Sequence, residues 1–297
     1  MSTDLGVDAL LPAEIAQKAE AVGVKKAGMP FWSVFALAVL AGAFVALGAV
    51  FATTLTAGSL NTKGVDGILV STTGLTYGLT RLLAGLAFTL GLVLVVISGA
   101  ELFTGNNLIV MAFMGGKVSL GRLLRNWGIV YLGNFVGSVL TAGLMLLTRQ
   151  YTFGGGAVGV NALTIAAAKV NFTFVQAVAL GILCNALVCL AVWMTYGARS
   201  TTDKIAAIIL PITAFVAASL EHSVANMYYL PIALLIKQFD PGFTAEHVVA
   251  GMEKLSWGSF LSANLLPVTI GNIIGGAVLV GLVYWFVYLR GAKTREL

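Results

Sequence analysis

The chain has 297 residues, of which 59% are hydrophobic and only 10% charged. That balance lies far outside soluble globular averages and points to an all-α, polytopic membrane protein. The net charge of +5 comes from basic residues scattered among loops, which excludes a nucleic-acid surface as its meaning.

Residues 1–28 read as an amphipathic surface helix. Leu10, Leu11, Ile15, Ala19 and Val22 share a face, with Lys18, Glu20, Lys25 and Lys26 available to lipid headgroups. No signal peptide is evident, because the first apolar run opens near Phe31 and is long enough to remain a membrane helix. Six spans follow, at about 31–55, 82–113, 124–147, 173–195, 205–236 and 258–289. Roughly 20 apolar residues suffice to cross a bilayer. The second and fifth spans are too long and too polar in the middle for single straight helices. Glu101-Leu102-Phe103-Thr104-Gly105-Asn106-Asn107 interrupts one, and Glu221-His222-Ser223-Val224-Ala225-Asn226 interrupts the other. Both are expected to be broken helices. Residues 29–289 then form a six-helix transmembrane domain, and 290–297 a cytoplasmic tail. Cys184 and Cys189 fall in one apolar run as small core residues, not as a disulfide or metal pair.

Six spans place both termini on one side. Eleven Lys and Arg residues lie on that side, against six (Lys63, Arg81, Arg149, Lys169, Lys237 and Lys254) in the opposite loops. The positive-inside rule therefore puts both termini in the cytoplasm.

An internal repeat appears when residues 123–144 are laid over 261–282. Leu123/Leu261, Asn126/Asn264, Val130/Val268, Gly133/Gly271, Asn134/Asn272, Gly137/Gly275, Gly143/Gly281 and Leu144/Leu282 coincide. The broken helices echo it: Glu101 precedes Asn106 by five residues, as Glu221 precedes Asn226. The halves, about 31–147 and 173–289, hold three spans each, and an odd number makes the two copies cross in opposite senses. The expected architecture is an inverted 3+3 repeat about an axis in the membrane plane. The two breaks then meet near the midplane. Half-helix N-termini there present N–H groups and partial positive charge, which suits an anion. Gly133/Gly137 and Gly271/Gly275 are Gly-x-x-x-Gly pairs that let helices approach closely.

Glu221 and His222 at membrane depth mark a functional site. Adjacent helical residues do not share a face, so Glu221 reads as an anchor of the helix break, and Glu101 likewise by symmetry. The Thr104 hydroxyl could face a solute or cap the following half-helix. Lys169 suits either a solvated loop charge or a cation drawing anions into a vestibule. His247, with Glu246 and Glu253 nearby, reads as a solvated exterior residue.

At these residues the chain resembles the formate/nitrite transporter family. The carrying motifs are Gly99-Ala-Glu-Leu-Phe-Thr-Gly-Asn-Asn107, Lys169, Asn185-Ala-Leu-Val-Cys-Leu-Ala-Val-Trp193, Glu221-His-Ser-Val-Ala-Asn226 and Asn264-Leu-Leu-Pro-Val-Thr-Ile-Gly-Asn-Ile-Ile-Gly-Gly276. The resemblance implies an aquaporin-like fold, a homopentamer with one pore per subunit, and passage of small monovalent anions: formate, nitrite, hydrosulfide, lactate or acetate. It also implies a multi-pass protein of the inner (plasma) membrane, in contact with lipid. By motif position it makes His222 the central pore histidine. It places Leu102, Phe103 and Thr104 in the loop narrowing the cytoplasmic side, and Phe88, Leu92 and Phe215 at the periplasmic constriction. Lys169 and Asn264 become polar residues near the pore, and Glu101, Glu221, Asn106 and Asn226 stand at the helix breaks. The departure is Gly105-Asn106-Asn107 after the Thr, where formate-channel relatives tend to carry small hydroxyl residues.

Moving a carboxylate-sized ion into a low-dielectric interior costs of order 20 kcal/mol in the idealised limit and several in practice. Protonating an acid of pKa near 4 at pH 7 costs only about 4 kcal/mol. A histidine at the midplane, the side chain whose charge changes most readily near neutrality, could relay a proton to formate or hold positive charge that attracts it. Two other classes compete. An intramembrane enzyme using Glu221 and His222 as acid and base finds no nucleophile at a strained turn, no metal spacing and no nucleotide loop. A neutral-solute channel lacks the paired Asn-Pro-Ala boxes. Neither a cofactor nor a metal is expected.

Overall fold

The computed structural model describes residues 9–59, 62–63, 69–70 and 75–291, the two short pairs by backbone only. The start of the expected N-terminal helix (1–8), most of the tail (292–297, with Lys293 and Arg295) and the Lys63 side chain lie outside these described residues.

Helix α1 (Pro12–Gly28) opens with Pro at its first position, where the missing N–H has no intrahelical role, and Glu14 accepts the Leu11 N–H at 2.7 Å. Its apolar stripe lies on protein. Ile15, Ala16 and Ala19 are buried in a cluster with Leu108, Met111 and Trp193. Three of the four polar residues expected at headgroups find protein partners, while Lys25 stays exposed. Lys18 donates to the Tyr196 carbonyl at 2.6 Å, Glu20 pairs with Lys117, and Lys26 reaches Glu101 at 3.1 Å. Small side chains permit this docking, which gives these three charges protein partners that lipid would not supply.

Helix α2 (Phe31–Leu55) is followed by a two-residue antiparallel ladder pairing Thr62 with Val70 and Lys63 with Leu69. Then come α3 (Tyr77–Ser98), α4 (Phe103–Met114, with a 3₁₀ turn inside it), α5 (Leu120–Leu147) and α6 (Ala157–Val170). They are followed by α7 (Phe174–Gly197), α8 (Thr201–Ala217), α9 (Ser223–Phe239), the short α10 (Pro241–Glu246) and α11 (Trp257–Tyr288). Among the described residues, α2, α3, α5, α7 and α11 are long and apolar enough to cross a membrane. The second and fifth expected spans are each split, into α3 with α4 and α8 with α9. Helix α6 has no counterpart among the expected spans; at 14 residues it is too short to cross a bilayer.

Both breaks use the same turn chemistry. The Ala100 N–H bonds the Val95 carbonyl at 2.9 Å across a left-handed Gly99 (φ 76°). The Leu220 N–H bonds the Phe215 carbonyl at 2.9 Å across a left-handed Ser219 (φ 58°). These are Schellman ends, which satisfy carbonyls that the terminated helix would otherwise orphan.

Packing is as matched as the breaks. Helix α2 lies on α3 and α5, while α7 lies on α8 and α11. A Cβ on Gly137 would collide with the Val39 carbonyl, and one on Gly275 with that of Ile182. The glycine pairs do allow backbone-to-backbone approach. Two asparagines fasten the segments after the breaks. Asn134 accepts the Phe103 N–H at 2.9 Å while donating to the Ala38 and Glu101 carbonyls. Asn272 accepts the Ser223 N–H at 2.9 Å while donating to the Gly181 and Glu221 carbonyls. The exterior carries exposed Leu40, Leu47, Leu132, Leu140, Leu144 and Leu210, an apolar outside suited to lipid or to neighbouring subunits.

Candidate functional site

The two breaks bring one hydroxyl and one imidazole together. Thr104, in the first turn of α4, places its Oγ1 2.9 Å from Nε2 of His222, the residue that caps α9. Both are buried. His222 Nδ1 accepts the Ala225 N–H at 3.0 Å, so the imidazole serves as the N-cap acceptor of its own helix. A backbone N–H can only donate. Nδ1 therefore carries a lone pair here, and the neutral ring holds its proton on Nε2, pointed at Thr104. For the ring to hold a second proton, α9 would have to release that cap.

Two cavities adjoin these residues, one lined by His222 and the other by Leu102 and Gly105, close to Thr104 in sequence. One, of ≈ 230 Å³, is lined by Phe88, Phe215, Lys169, Arg81, Tyr229 and His222 among others. Within it Phe88 and Phe215 meet edge to face at 5.6 Å between ring centroids, and Phe215 stacks on His222 at 5.8 Å. The other, of ≈ 170 Å³, is lined by Leu92, Leu102, Glu101, Gly105, Asn106 and Lys26 among others. Leu92 was expected beside Phe88 at the periplasmic constriction. It instead lines the second cavity with Leu102, one helical turn of ~6 Å along α3 from Phe88. Phe103 lines neither cavity and packs on Tyr131 (4.9 Å) and Trp127 (6.1 Å).

Each break has a buried carboxylate anchored by a lysine and by the asparagine five residues on. Glu221 accepts Lys169 at 2.6 Å, Asn226 at 2.7 Å and Asn264 at 3.1 Å. Glu101 accepts Lys26 at 3.1 Å and Asn106 at 2.7 Å, and Asn106 also donates to Asn126 at 2.9 Å. Lys169 is not a loop charge. It sits in the last turn of α6, its side chain 13% exposed and its ammonium 5.4 Å from the Tyr229 ring centre. Asn264 lies in the same network, donating to the Lys169 carbonyl at 3.0 Å, and lines neither cavity. His247 is half-buried, stacked on Phe243 at 4.3 Å, rather than fully solvated.

Sequence reasoning missed the roles of four participants. Arg81 entered it only as a loop charge, and Tyr229 not at all. Asn134 and Asn272 were visible as a repeat identity, and that recurrence was the signal that could have marked them as capping residues. No cluster of His, Cys, Asp and Glu suited to a metal exists among the described residues, and both cysteines are buried and free.

The chain matches the sequence profile of the formate/nitrite transporter family over residues 13–286. The formate channel FocA of Escherichia coli (strain K12) is 43% identical over 293 residues, covering 98% of each chain. A solved structure described as a pentameric formate channel with formate bound is 45% identical, with a TM-score of 0.77 over 88% of this chain and 98% of that one. A second, described as an FNT family ion channel, is 30% identical, with a TM-score of 0.72 over 92% of this chain and 98% of the other.

Proposed function

Because the chain belongs to the formate/nitrite transporter family, a family of multi-pass membrane transporters and not of enzymes, we propose that it passes small monovalent anions, formate foremost, from one cavity to the other past Thr104 and His222. Nitrite is the second substrate. The observation that carries this reading is the 2.9 Å Thr104–His222 contact where the two breaks meet, with His222 lining one cavity and Leu102 and Gly105 the other. The path narrows at Phe88 and Phe215 on one side and at Leu92 and Leu102 on the other.

The finer architecture belongs to the same proposal: six spans, an inverted 3+3 repeat, a homopentamer, and an inner-membrane protein with both termini cytoplasmic. Supporting the repeat, Tyr131 and Thr269, which occupy matching positions 138 residues apart, touch each other at 2.9 Å. Residues related by a two-fold axis and lying close to it meet in this way. The matched Asn134 and Asn272 caps support it as well.

In the mechanism we propose, the carboxylate networks hold the breaks while His222 and Thr104 deal with the anion. The neutral ring offers its Nε2 proton as a hydrogen-bond donor, and a formate replacing the Thr104 hydroxyl would accept it. Donation alone neutralises nothing. Proton transfer to formate requires the ring first to take up a proton at Nδ1, giving up the Ala225 N–H. Loss of an N-cap costs about 1 kcal/mol, far less than the several kcal/mol of carrying a bare anion through an apolar constriction. Ring protonation and a loosened first turn of α9 are therefore coupled events in the transport cycle.

Reconstitution in liposomes tests this with formate and nitrite uptake followed against pH. The parent should take up both. His222→Asn keeps a capping acceptor but removes the ring proton, and should abolish the pH dependence with α9 intact; His222→Phe should lose both. Unchanged flux and pH profile in both variants would refute the role of the histidine. Uptake indifferent to pH and membrane potential would refute anion transport, and a detergent-solubilised mass near one or two subunits would refute the pentamer.

A further inference from the structure

Helix α3 turns Arg81, Gly85 and Phe88 along one face, spaced by four and three residues. All three meet the last turns of α8. Arg81 donates from Nη2 to the Val216 carbonyl and from Nε to the Ala217 carbonyl at 3.4 Å. Gly85 sits so close that a Cβ there would lie 2.5 Å from the Thr213 carbonyl oxygen. Phe88 rests its ring on Phe215.

The end of α8 needs such support more than the end of α3. The left-handed residue that closes α3 is Gly99, whereas the matching residue 120 positions later, closing α8, is Ser219. A side chain in that conformation is strained where glycine is not. The terminal carbonyls of α8 are acceptors without a following helical turn, and the planar guanidinium fork takes two of them at once. Its charge also suits a helix C-terminus. Phe215 belongs to this same turn, its carbonyl accepting the Leu220 N–H.

We propose that Arg81 is a positioning residue for the aromatic constriction: it clamps the strained end of α8 and so holds Phe215 against Phe88, which sets how large an anion can pass. This rests on the reading that those two rings narrow the path. Arg81 also lines the cavity of ≈ 230 Å³, where it could act merely as a positive charge attracting anions. Lysine separates the two roles, since it keeps the charge but has no fork.

The test compares uptake of formate and of lactate, a bulkier monocarboxylate, in Arg81→Lys, Arg81→Met, Ser219→Gly and the Arg81→Lys/Ser219→Gly double variant. Both single substitutions at Arg81 should lower the formate-to-lactate ratio about tenfold, the low end of what a one-methylene difference in fit discriminates. Ser219→Gly, by removing the strain, should restore much of that ratio in the double variant. Amide exchange over residues 216–220 should quicken in Arg81→Lys and slow again in the double variant, a readout independent of transport. An Arg81→Lys protein with the parent ratio and parent exchange overturns the clamp, as does a double variant no better than the single. If the parent takes up neither anion, the transport reading fails while the exchange data still decide the clamp.

Discussion

Replacing Glu221 with glutamine removes one charge from a buried, fully engaged ion pair. The carboxylate is 2% exposed and its lysine partner 13%, and its two oxygens accept Lys169, Asn226 and Asn264. The amide leaves Lys169 without its counter-charge and turns an NH₂ toward groups that are themselves donors. Breaking a buried pair from one side costs about 3–5 kcal/mol. At roughly 2 °C per kcal/mol or more for a chain of this class of size, the expected loss in unfolding temperature is about 6 °C or greater. Thermal unfolding of the detergent-solubilised protein, followed by tryptophan fluorescence, measures it. Lys169→Met/Glu221→Gln should recover part of the loss, because no uncompensated charge remains. The equivalent Glu101→Gln should cost less, since Lys26 is 22% exposed and water can screen it. A Glu221→Gln shift under about 2 °C, or a double variant as unstable as the single, would refute the reasoning.

Three further outcomes follow from the geometry. Gly275→Ala forces a methyl into the Ile182 carbonyl and should destabilise by about 1–3 kcal/mol or more, whereas Gly143→Ala meets nothing within 4 Å and should stabilise α5 by roughly 0.5–1 kcal/mol; unfolding temperatures compare them. Asn272→Leu removes the acceptor of the Ser223 N–H and the donor to two buried carbonyls, and at about 1–3 kcal/mol per unsatisfied group should be among the most destabilising single changes in the chain. Asp203, in the first turn of α8, is held below the ordinary carboxylate value by the Ser200 backbone N–H at 2.9 Å and then by the Ser200 side chain. A depressed carboxylate stabilises above its unfolded value of ~3.9, and that contribution disappears as pH falls through the lower folded value. Amide protection at the start of α8, corrected for intrinsic exchange, should therefore drop in that acidic window in the parent and be flat and already low in Asp203→Asn.

Much of the candidate site is legible in the chain because ionisable and amide residues are rare at membrane depth. Glu101, Glu221, His222, Asn106 and Asn226 stand out against an apolar background, and burial without water leaves such groups few roles. The five-residue Glu–Asn spacing in both halves carries over directly into hydrogen bonds of 2.7 Å in each. Leu92, Phe103 and Asn264 were less readable: a motif places them near a path, but which side chain faces it depends on helix rotation and on neighbours distant in sequence. The docking of α1 was not legible for the same reason, since amphipathicity says that a helix needs an apolar partner and not which one.

Hydrophobic run length and the interruptions within it determined from sequence alone that this is a many-spanning membrane protein with two broken helices, because a bilayer imposes a fixed thickness and forbids unsatisfied backbone. Recurring Asn, Gly and Glu residues likewise set the expectation of two matched halves. Tertiary structure alone decided that the His222 ring is its own helix cap with its proton toward Thr104. It alone decided that Lys169 serves Glu221, and that Arg81 holds the end of α8. Each of these rests on hydrogen-bond directions between segments 50 to 140 residues apart, or on a rotamer, and local sequence carries no information about either.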